Sequence, residues 1–124
     1  MFGPCSKKQG ADERVHRMKL HCEPYEMIKS GKKTIELRLF DEKRQMIQVG
    51  DEIEFTSRTT GEKQLTEVCA IHLFNTFAEI YRDFDKISLG YDIDEEASFT
   101  DLEKYYSKEE QEKYGVVGIE VRNI

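Results

Sequence analysis

Regular spacing of apolar residues predicts short strands and short helices along most of the chain. Residues 52–57 alternate between polar and apolar side chains, and Ile53 and Phe55 share one face, which is typical of a half-buried strand. Residues 76–84 instead carry apolar side chains three and four positions apart, as in an amphipathic helix; these are Phe77, Ile80, Tyr81 and Phe84. Because both periods occur, the pattern predicts an α+β domain.

Turn and capping signals divide the rest of the chain into elements. Pro24 suits the first turn of a helix, and Gly31 suits its end. Ser98 and Ser107 each stand three residues before an acidic residue, which indicates a helix start. The predicted strands are residues 18–22, 34–39, 52–57, 65–74 and 116–121, and the predicted helices are 23–30, 76–84 and two short ones that follow Ser98 and Ser107.

Five strands linked by three or four short helices predict a small β-barrel of about five or six strands, decorated by those helices. Short strands need closure or cover to hide their edges. An open α+β sheet is the alternative. Residues 1–17 are polar and lack periodicity, so we interpret them as a flexible N-terminal arm before one domain of residues 18–124.

Residues 31–38 carry an informative cluster of charges and read Gly-Lys-Lys-Thr-Ile-Glu-Leu-Arg. In a strand, the apolar residues at 35, 37 and 39 face the core, so Glu36 and Arg38 share the opposite face, with Lys33 at the strand mouth. An ammonium, a carboxylate and a guanidinium together suit a small polar ligand. They also suit a structural ion-pair network, and both interpretations stay open.

Composition restricts the partners. A chain of 124 residues is the size of one domain, and its net charge of −6 weighs against an extended nucleic-acid surface. Local basic pairs at residues 32–33 and 43–44 still allow a small cationic site. No apolar run reaches the roughly 20 residues of a membrane span, and no secretory signal is visible, so we expect a cytoplasmic protein without a membrane partner.

The cysteines and histidines give no sign of a metal centre. Three cysteines are widely spaced without a Cys-x-x-Cys pair, and the three histidines lack ligand spacing. We therefore expect no metal and no cofactor. Cys22 and Cys69 are predicted to be small buried side chains.

The charged segment resembles the Gly-x-Lys-x-x-Glu-x-Arg signature of the ASCH domain family. Gly31, Lys33, Glu36 and Arg38 match its four positions in order. The resemblance continues through residues 24–30, 41–51 and 105–119, and so covers roughly residues 18–121. It implies a PUA-like fold, a small twisted β-barrel with a cleft lined by the signature, and RNA or nucleotide-like ligands.

Such a cleft would give several residues a binding role. Lys33 and Arg38 suit a phosphate or a carbonyl oxygen, and Glu36 suits a base amino group or a water molecule. Lys43 and Arg44 would line the same rim and contact the phosphate backbone, with a solvated turn as the alternative. Tyr114, next to the last strand, could stack on a base or simply pack.

The resemblance also implies a catalytic alternative. Some members of the family are similar to a small bacterial amidohydrolase that deacetylates N(4)-acetylcytidine with a Lys, a Thr and a Glu. Lys33 falls at the Lys position and Glu36 at the Thr position, and the acidic position falls at Glu95 or Glu96. Glu36 cannot be the hydroxyl nucleophile, but it could act as a base on water.

Binding of RNA, a modified nucleoside or a nucleotide-like ligand is therefore the first prediction, and a hydrolase acting on an acylated nucleoside, or a ribonuclease, is the alternative. The oligomeric state stays open.

Overall fold

Five strands form one curled sheet in the computed structural model, which describes residues 14–124. The strands are β1 (Val15–Leu20), β2 (Ile35–Leu39), β3 (Glu52–Ser57), β4 (Lys63–Phe74) and β5 (Val116–Asn123). Their order across the sheet is β1-β3-β4-β5-β2. The pair β1–β3 is parallel and the other three pairs are antiparallel. The sheet curls into a half-barrel, so the predicted small α+β barrel is confirmed.

Within residues 15–124, four short α-helices and one 3-10 turn decorate this sheet. They are α1 (Cys22–Lys29), α2 (Glu42–Gln45), α3 (Phe77–Asp83), the 3-10 turn Phe99–Leu102 and α4 (Lys108–Tyr114). The sequence pattern treated residues 41–45 as a turn, but Asp41 caps α2 by accepting a hydrogen bond from Arg44 N at 3.1 Å. Within residues 14–124, no helix is long and apolar enough to cross a membrane.

The first strand begins and ends earlier than the apolar pattern predicts. Val15 through Leu20 pair in register with Glu52 through Ser57 of β3, so residues 15–17 belong to the sheet rather than to the arm. Cys22 then begins α1 instead of ending a strand. Residues 1–13 of the predicted arm lie outside the described residues.

Strand β5 separates two apolar clusters because its side chains alternate between them. Val117, Ile119 and Val121 join the cluster beneath α1, around Tyr25 and Phe55. Val116 joins the second cluster, beneath α3, together with Ile35, Leu37, Leu39, Phe77, Ile80 and Leu89. Strand β2 lies next to β5 at the sheet edge and is anchored in this second cluster, which fixes the position of its charged residues.

Candidate functional site

A buried carboxylate lies between two basic side chains at the edge of the sheet. Glu36 of β2 is 3% exposed. Its Oε1 lies 2.9 Å from Lys33 Nζ, and its Oε2 accepts a hydrogen bond from Arg38 Nε at 2.7 Å. The two basic side chains are only 12% and 15% exposed. The three charges that the sequence pattern put at one strand end therefore form one network.

Lys33 lies just before β2, close enough for its ammonium group to reach Glu36. The loop that contains Ser88 and Gly90 holds this part of the chain in place. The carbonyl of Ser88 accepts hydrogen bonds from Thr34 N and Ile35 N at 2.9 and 3.0 Å. Gly90, with φ of +107°, lies against the lysine stem; a Cβ there would be 3.0 Å from Lys33 Cδ. The absence of a side chain at Gly90 thus gives the lysine its path to the carboxylate.

Arg38 connects the two edge strands of the half-barrel. Besides its bond to Glu36, its Nη2 donates to the carbonyl of Lys19 on β1 at 3.3 Å. We call the gap between Lys19 of β1 and Arg38 of β2 the seam. One guanidinium therefore bridges the seam and binds the buried carboxylate.

Charge pairing decides the ionisation of the network. Burial disfavours the charged form of Glu36, but the attraction of Lys33 and Arg38 outweighs it, so the pKa of Glu36 is lowered from 4.5. Burial likewise opposes the charge on Arg38, and Glu36 overcomes this, so the pKa of Arg38 is raised above its ordinary value. Both shifts favour the ion pair of Glu36 and Arg38, and two basic side chains against one carboxylate give the network one formal positive charge.

This network lies in a cleft of about 980 Å³. Residues from β1, α1, β2 and the segments around 90 and 105 line it. Its charged residues balance, with five basic ones (Lys19, Lys33, Arg38, Arg58 and Lys104) and five acidic ones (Glu23, Glu26, Glu36, Asp92 and Glu95). The cleft has no overall excess of positive charge, so its attraction for an anion depends on the local network.

Aromatic side chains also line the cleft. Tyr105 is 56% exposed, and its ring centroid lies 6.4 Å from that of His21, across a tilt of 36°. Tyr106 lies deeper, where burial raises the pKa of its hydroxyl above 10.0. An exposed tyrosine ring beside a cationic floor can stack on a planar base.

A chain of hydroxyl groups occupies another wall of the cleft. Tyr91 Oη lies 2.8 Å from Tyr81 Oη and donates to Asp101 Oδ2 at 2.7 Å. Burial first, and then Tyr81 and Asp101, raise the pKa of Tyr91 far above 10.0. Tyr91 therefore stays protonated, and its one hydroxyl proton is donated to Asp101.

Three predicted binding residues lie outside the cleft lining. Lys43 and Arg44 line a separate, smaller pocket against β1. Tyr114 packs partly buried against the second apolar cluster, with Lys113 Nζ 5.0 Å from its ring centroid. The structure thus brings together Lys33, Glu36 and Arg38 but places the other three elsewhere.

The two acidic candidates divide. Glu95 lines the cleft, and its Oε1 accepts from Asp92 N at 2.8 Å, whereas Glu96 does not line it.

The prediction that Cys22 and Cys69 are buried is wrong, since both are exposed free thiols. Cys22 starts α1 at the cleft wall, where a helix replaces the expected strand end.

Sequence reasoning missed most of the cleft wall. Tyr81 was assigned to the apolar face of its helix, and it does pack there while turning its hydroxyl to Tyr91. Tyr91 and Arg58 carried no periodic signal, because loops and turns bring them to the cleft. Tyr105 lay within the segment 105–119 of the family resemblance, but no pattern there marked it as a cleft residue.

This combination defines a class: a curled half-barrel with short helices and a charged side cleft is the architecture of small PUA-like α+β domains. The ASCH domain family model matches residues 18–124, and the chain belongs to this family. A search of curated proteins found no match.

Solved structures agree with this assignment. The chain is similar to the hypothetical protein PH0355, with 33% identity over 89% of this chain and 99% of that one, at a TM-score of 0.75. It is also similar to protein PF0455 from Pyrococcus furiosus, with 36% identity over 89% and 97%, at a TM-score of 0.65. ASCH from Zymomonas mobilis, with 16% identity over 90% and 68% at a TM-score of 0.65, shares the fold.

Proposed function

We propose that this ASCH domain binds an RNA end, a modified nucleoside or a nucleotide-like ligand in its cleft. The observation that carries the proposal is the Lys33–Glu36–Arg38 network in a cleft that also holds an exposed tyrosine ring. The network offers one net positive charge to a phosphate or a carbonyl oxygen. Tyr105 offers a stacking surface to the base.

Glu36 supports this binding by holding the two basic side chains in place. It is 3% exposed, and each of its oxygens contacts one basic side chain. The donors offered to a ligand oxygen are therefore those of Lys33 and Arg38, whose side chains are 12% and 15% exposed.

Overall charge limits the size of this ligand. The balanced charges of the cleft and the net charge of −6 give little long-range attraction for a polyanion. A single nucleotide, or the end of a strand, requires only local cations. We therefore propose a short ligand rather than an extended duplex.

The test is equilibrium binding at low salt. Fluorescence anisotropy with a labelled short single-stranded RNA, and competition by nucleosides and nucleotides, would measure affinity for the wild type and for Tyr105→Ala. Loss of a stacked base costs about 1–3 kcal/mol, so affinity should fall by roughly tenfold or more. Phe99→Ala is the matched control, because Phe99 is a 40% exposed ring outside the cleft lining.

Two results would contradict the proposal. One is the absence of binding to any of these ligands at low salt. The other is equal weakening by Tyr105→Ala and Phe99→Ala, which would place the bound base away from the cleft.

Hydrolysis is a second candidate, and one placement favours it: the three residues of the catalytic alternative, Lys33, Glu36 and Glu95, all line the same cleft. The substrate would be an acylated nucleoside such as N(4)-acetylcytidine, or an RNA phosphodiester. In the amide case, water adds to the acyl carbon, the C–N bond breaks and the leaving amine takes a proton, which yields cytidine and acetate. The lowered pKa of Glu36 makes it a weak base for this step.

Chromatography of N(4)-acetylcytidine incubated with the wild type, Lys33→Ala and Lys63→Ala would test this candidate. Lys63 is a 61% exposed lysine outside the cleft lining and is the matched control. Turnover that only Lys33→Ala abolishes would make the protein an amidohydrolase. An equal rate of hydrolysis in all three proteins would rule out catalysis by Lys33. The cleft would then remain a proposed binding site only.

A further inference from the structure

The pocket that contains Lys43 and Arg44 is small and basic. It measures about 220 Å³ and lies between β1 and the segment of α2. We call it the β1 pocket. Of the seven residues that line it in the described chain, three are Lys or Arg, one is a histidine and none is acidic; these are Arg17, Lys43, Arg44 and His16. The cleft, by contrast, balances its charges.

Arg44 carries an unsatisfied donor. Its side chain is 15% exposed, and Nη1 lies 3.3 Å from Asp41 Oδ2. Its Nε is buried and has no acceptor among residues 14–124. A buried N–H group without an acceptor is costly, so an oxygen atom in the β1 pocket would satisfy a group that this part of the fold leaves unpaired.

Nearby carboxylates do not cancel the positive charge. Asp51 is 3% exposed and is shared by Arg14 and His16, at 2.7 and 2.9 Å. Glu54 is shared by Arg17 and Lys63, at 3.6 and 3.8 Å.

Asp41 contacts Arg44 alone, and Lys43 has no ion pair within the described chain. Lys43 therefore remains unpaired within residues 14–124, and no acidic side chain lines the pocket itself.

The β1 pocket and the cleft share a wall. Residues 15–18 of β1 line the pocket, and the next two residues, Lys19 and Leu20, line the cleft. Arg17 and Lys19 are both exposed and lie two positions apart, so they project from the same face of the strand. This face carries one basic side chain beside each cavity, Arg17 at the pocket and Lys19 at the cleft.

We propose that the β1 pocket binds a phosphate group, with Arg44 Nε and Lys43 as donors. The phosphate is that of the nucleotide next to the one seated in the cleft. This last step rests on the proposed function, whereas phosphate binding by the pocket does not. Lys43 and Arg44 would thus form an anion site separate from the cleft. A ligand that occupies both sites would be one nucleotide longer and would run along β1.

The first arm of the test uses inorganic phosphate alone. In ¹⁵N-labelled full-length protein, the arginine Nε–Hε resonances are observed directly, so a phosphate titration reports on Arg44. We expect saturable shifts of the Arg44 Nε–Hε resonance and of the amides of residues 15–18 and 43–47.

Variants assign this binding to its donors. Arg44→Lys keeps the charge but removes the Nε donor, and Lys43→Gln removes one charge; each should weaken phosphate binding several-fold. Lys108→Gln is the exposed-lysine control outside both cavities and should leave the affinity for phosphate unchanged. The proposed phosphate site would be overturned by the absence of saturable shifts in these residues. Equal weakening of phosphate binding by all three variants would overturn it as well.

The second arm separates a strand phosphate from a free anion. A trinucleotide and a nucleoside monophosphate would be compared by anisotropy competition over a range of salt. Lys43→Gln should weaken the trinucleotide alone and reduce its salt slope by about 0.7, as for one lost contact to a single strand. Inorganic phosphate could shift the pocket resonances while Lys43→Gln leaves the trinucleotide affinity unchanged. That result would support a phosphate site in the pocket but overturn the claim that it binds a phosphate of the nucleotide strand.

Failure of the proposed function gives a different pattern: neither nucleotide ligand binds, while the phosphate shifts persist. A rival occupant is the chain itself, since Asp12 and Glu13 directly precede Arg14. The full-length double variant Asp12→Asn, Glu13→Gln tests this occupant. Tighter phosphate binding in the double variant, with no shifts in the wild type, would overturn the phosphate site in favour of those carboxylates.

Discussion

Glu36 is a buried charge whose role depends on residues far from it in sequence. Strand alternation predicted that Glu36 and Arg38 share a face, and the structure confirms this arrangement. Alternation could not predict that this face is covered. The cover comes from the loop around Gly90 and from Tyr106, both more than 50 residues away, so no local pattern reports the burial of Glu36.

Replacing Glu36 by Gln should destabilise the fold strongly. The substitution keeps the shape but leaves Lys33 and Arg38 largely buried without a carboxylate, which costs about 3–5 kcal/mol. Urea unfolding at neutral pH measures the loss. Glu62→Gln is the control, because Glu62 pairs with Lys29 at the surface, where a loss below about 1 kcal/mol is expected. Equal losses would show that the network contributes no more than a surface pair.

The stability that Glu36 contributes should depend on pH in the acid range. Its pKa in the folded protein is lower than its ordinary value of 4.5, so the folded state favours the ionised form. The contribution is therefore fully present above about pH 4.5 and is lost as pH falls through the folded-state pKa. The difference in unfolding free energy between wild type and Glu36→Gln should shrink below pH 4.5. A difference that stays constant into strong acid would contradict this assignment.

Gly90 should matter through Lys33 as well as through its own backbone. Gly90→Ala and Gly61→Ala both place a side chain at positive φ, +107° and +75°, which costs about 1–2 kcal/mol. An added Cβ meets Lys33 only at position 90, since nothing lies within 4 Å at position 61. Chemical denaturation should show a larger loss for Gly90→Ala, and ligand affinity should fall in that variant alone. Matching losses and unchanged affinity would mean that Lys33 simply moves aside.

At the level of elements, two similar serine signals gave different structures. Ser107 forms the predicted capping box: its Oγ accepts from Glu110 N at 3.1 Å, and Glu110 Oε1 accepts from Ser107 N at 3.0 Å. Ser98 starts only a 3-10 turn, because Asp101 accepts from the Tyr91 hydroxyl instead of turning back to the serine. A tertiary contact thus decides between the two, and sequence spacing alone could not.

Ser107→Ala should therefore cost more than Ser98→Ala. Loss of the Ser107 cap removes a reciprocal pair of hydrogen bonds from a seven-residue helix and should lower stability by about 1 kcal/mol. Ser98 Oγ accepts from Thr100 N at 3.3 Å without a returning bond, so its loss should be smaller. Thermal unfolding of the two variants measures the difference. The reverse order would show that the 3-10 turn, rather than α4, supports the cleft wall.

For the whole molecule, the cavities depend on which segments of the chain lie next to one another. The order of charged residues in the sequence did not predict those contacts. The basic pair at 43–44 was predicted to line the same rim as Lys33, but α2 folds against β1 and puts the pair in a second pocket. The half-barrel leaves β1 and β2 as opposite edges of the sheet, so residues close to β2 in sequence can lie beyond β1. The network could be predicted from local spacing, whereas the partition into two cavities follows from this topology.

The seam between these edges should open locally when Arg38 loses its second contact. Arg38→Lys keeps a positive charge beside Glu36 but removes the Nη2 donor to Lys19 O. One hydrogen bond is worth about 0.5–1.5 kcal/mol, so amide exchange in β1 should accelerate by up to about tenfold.

Exchange in β4 and β5 should stay near the wild-type rate, since those strands are paired on both sides. Arg82→Lys, at a 70% exposed position, is the matched control and should change neither region. Uniform acceleration over all strands would mean that Arg38 stabilises the fold as a whole. Acceleration confined to β1 would show that one guanidinium both closes the seam and completes the charge network of the cleft.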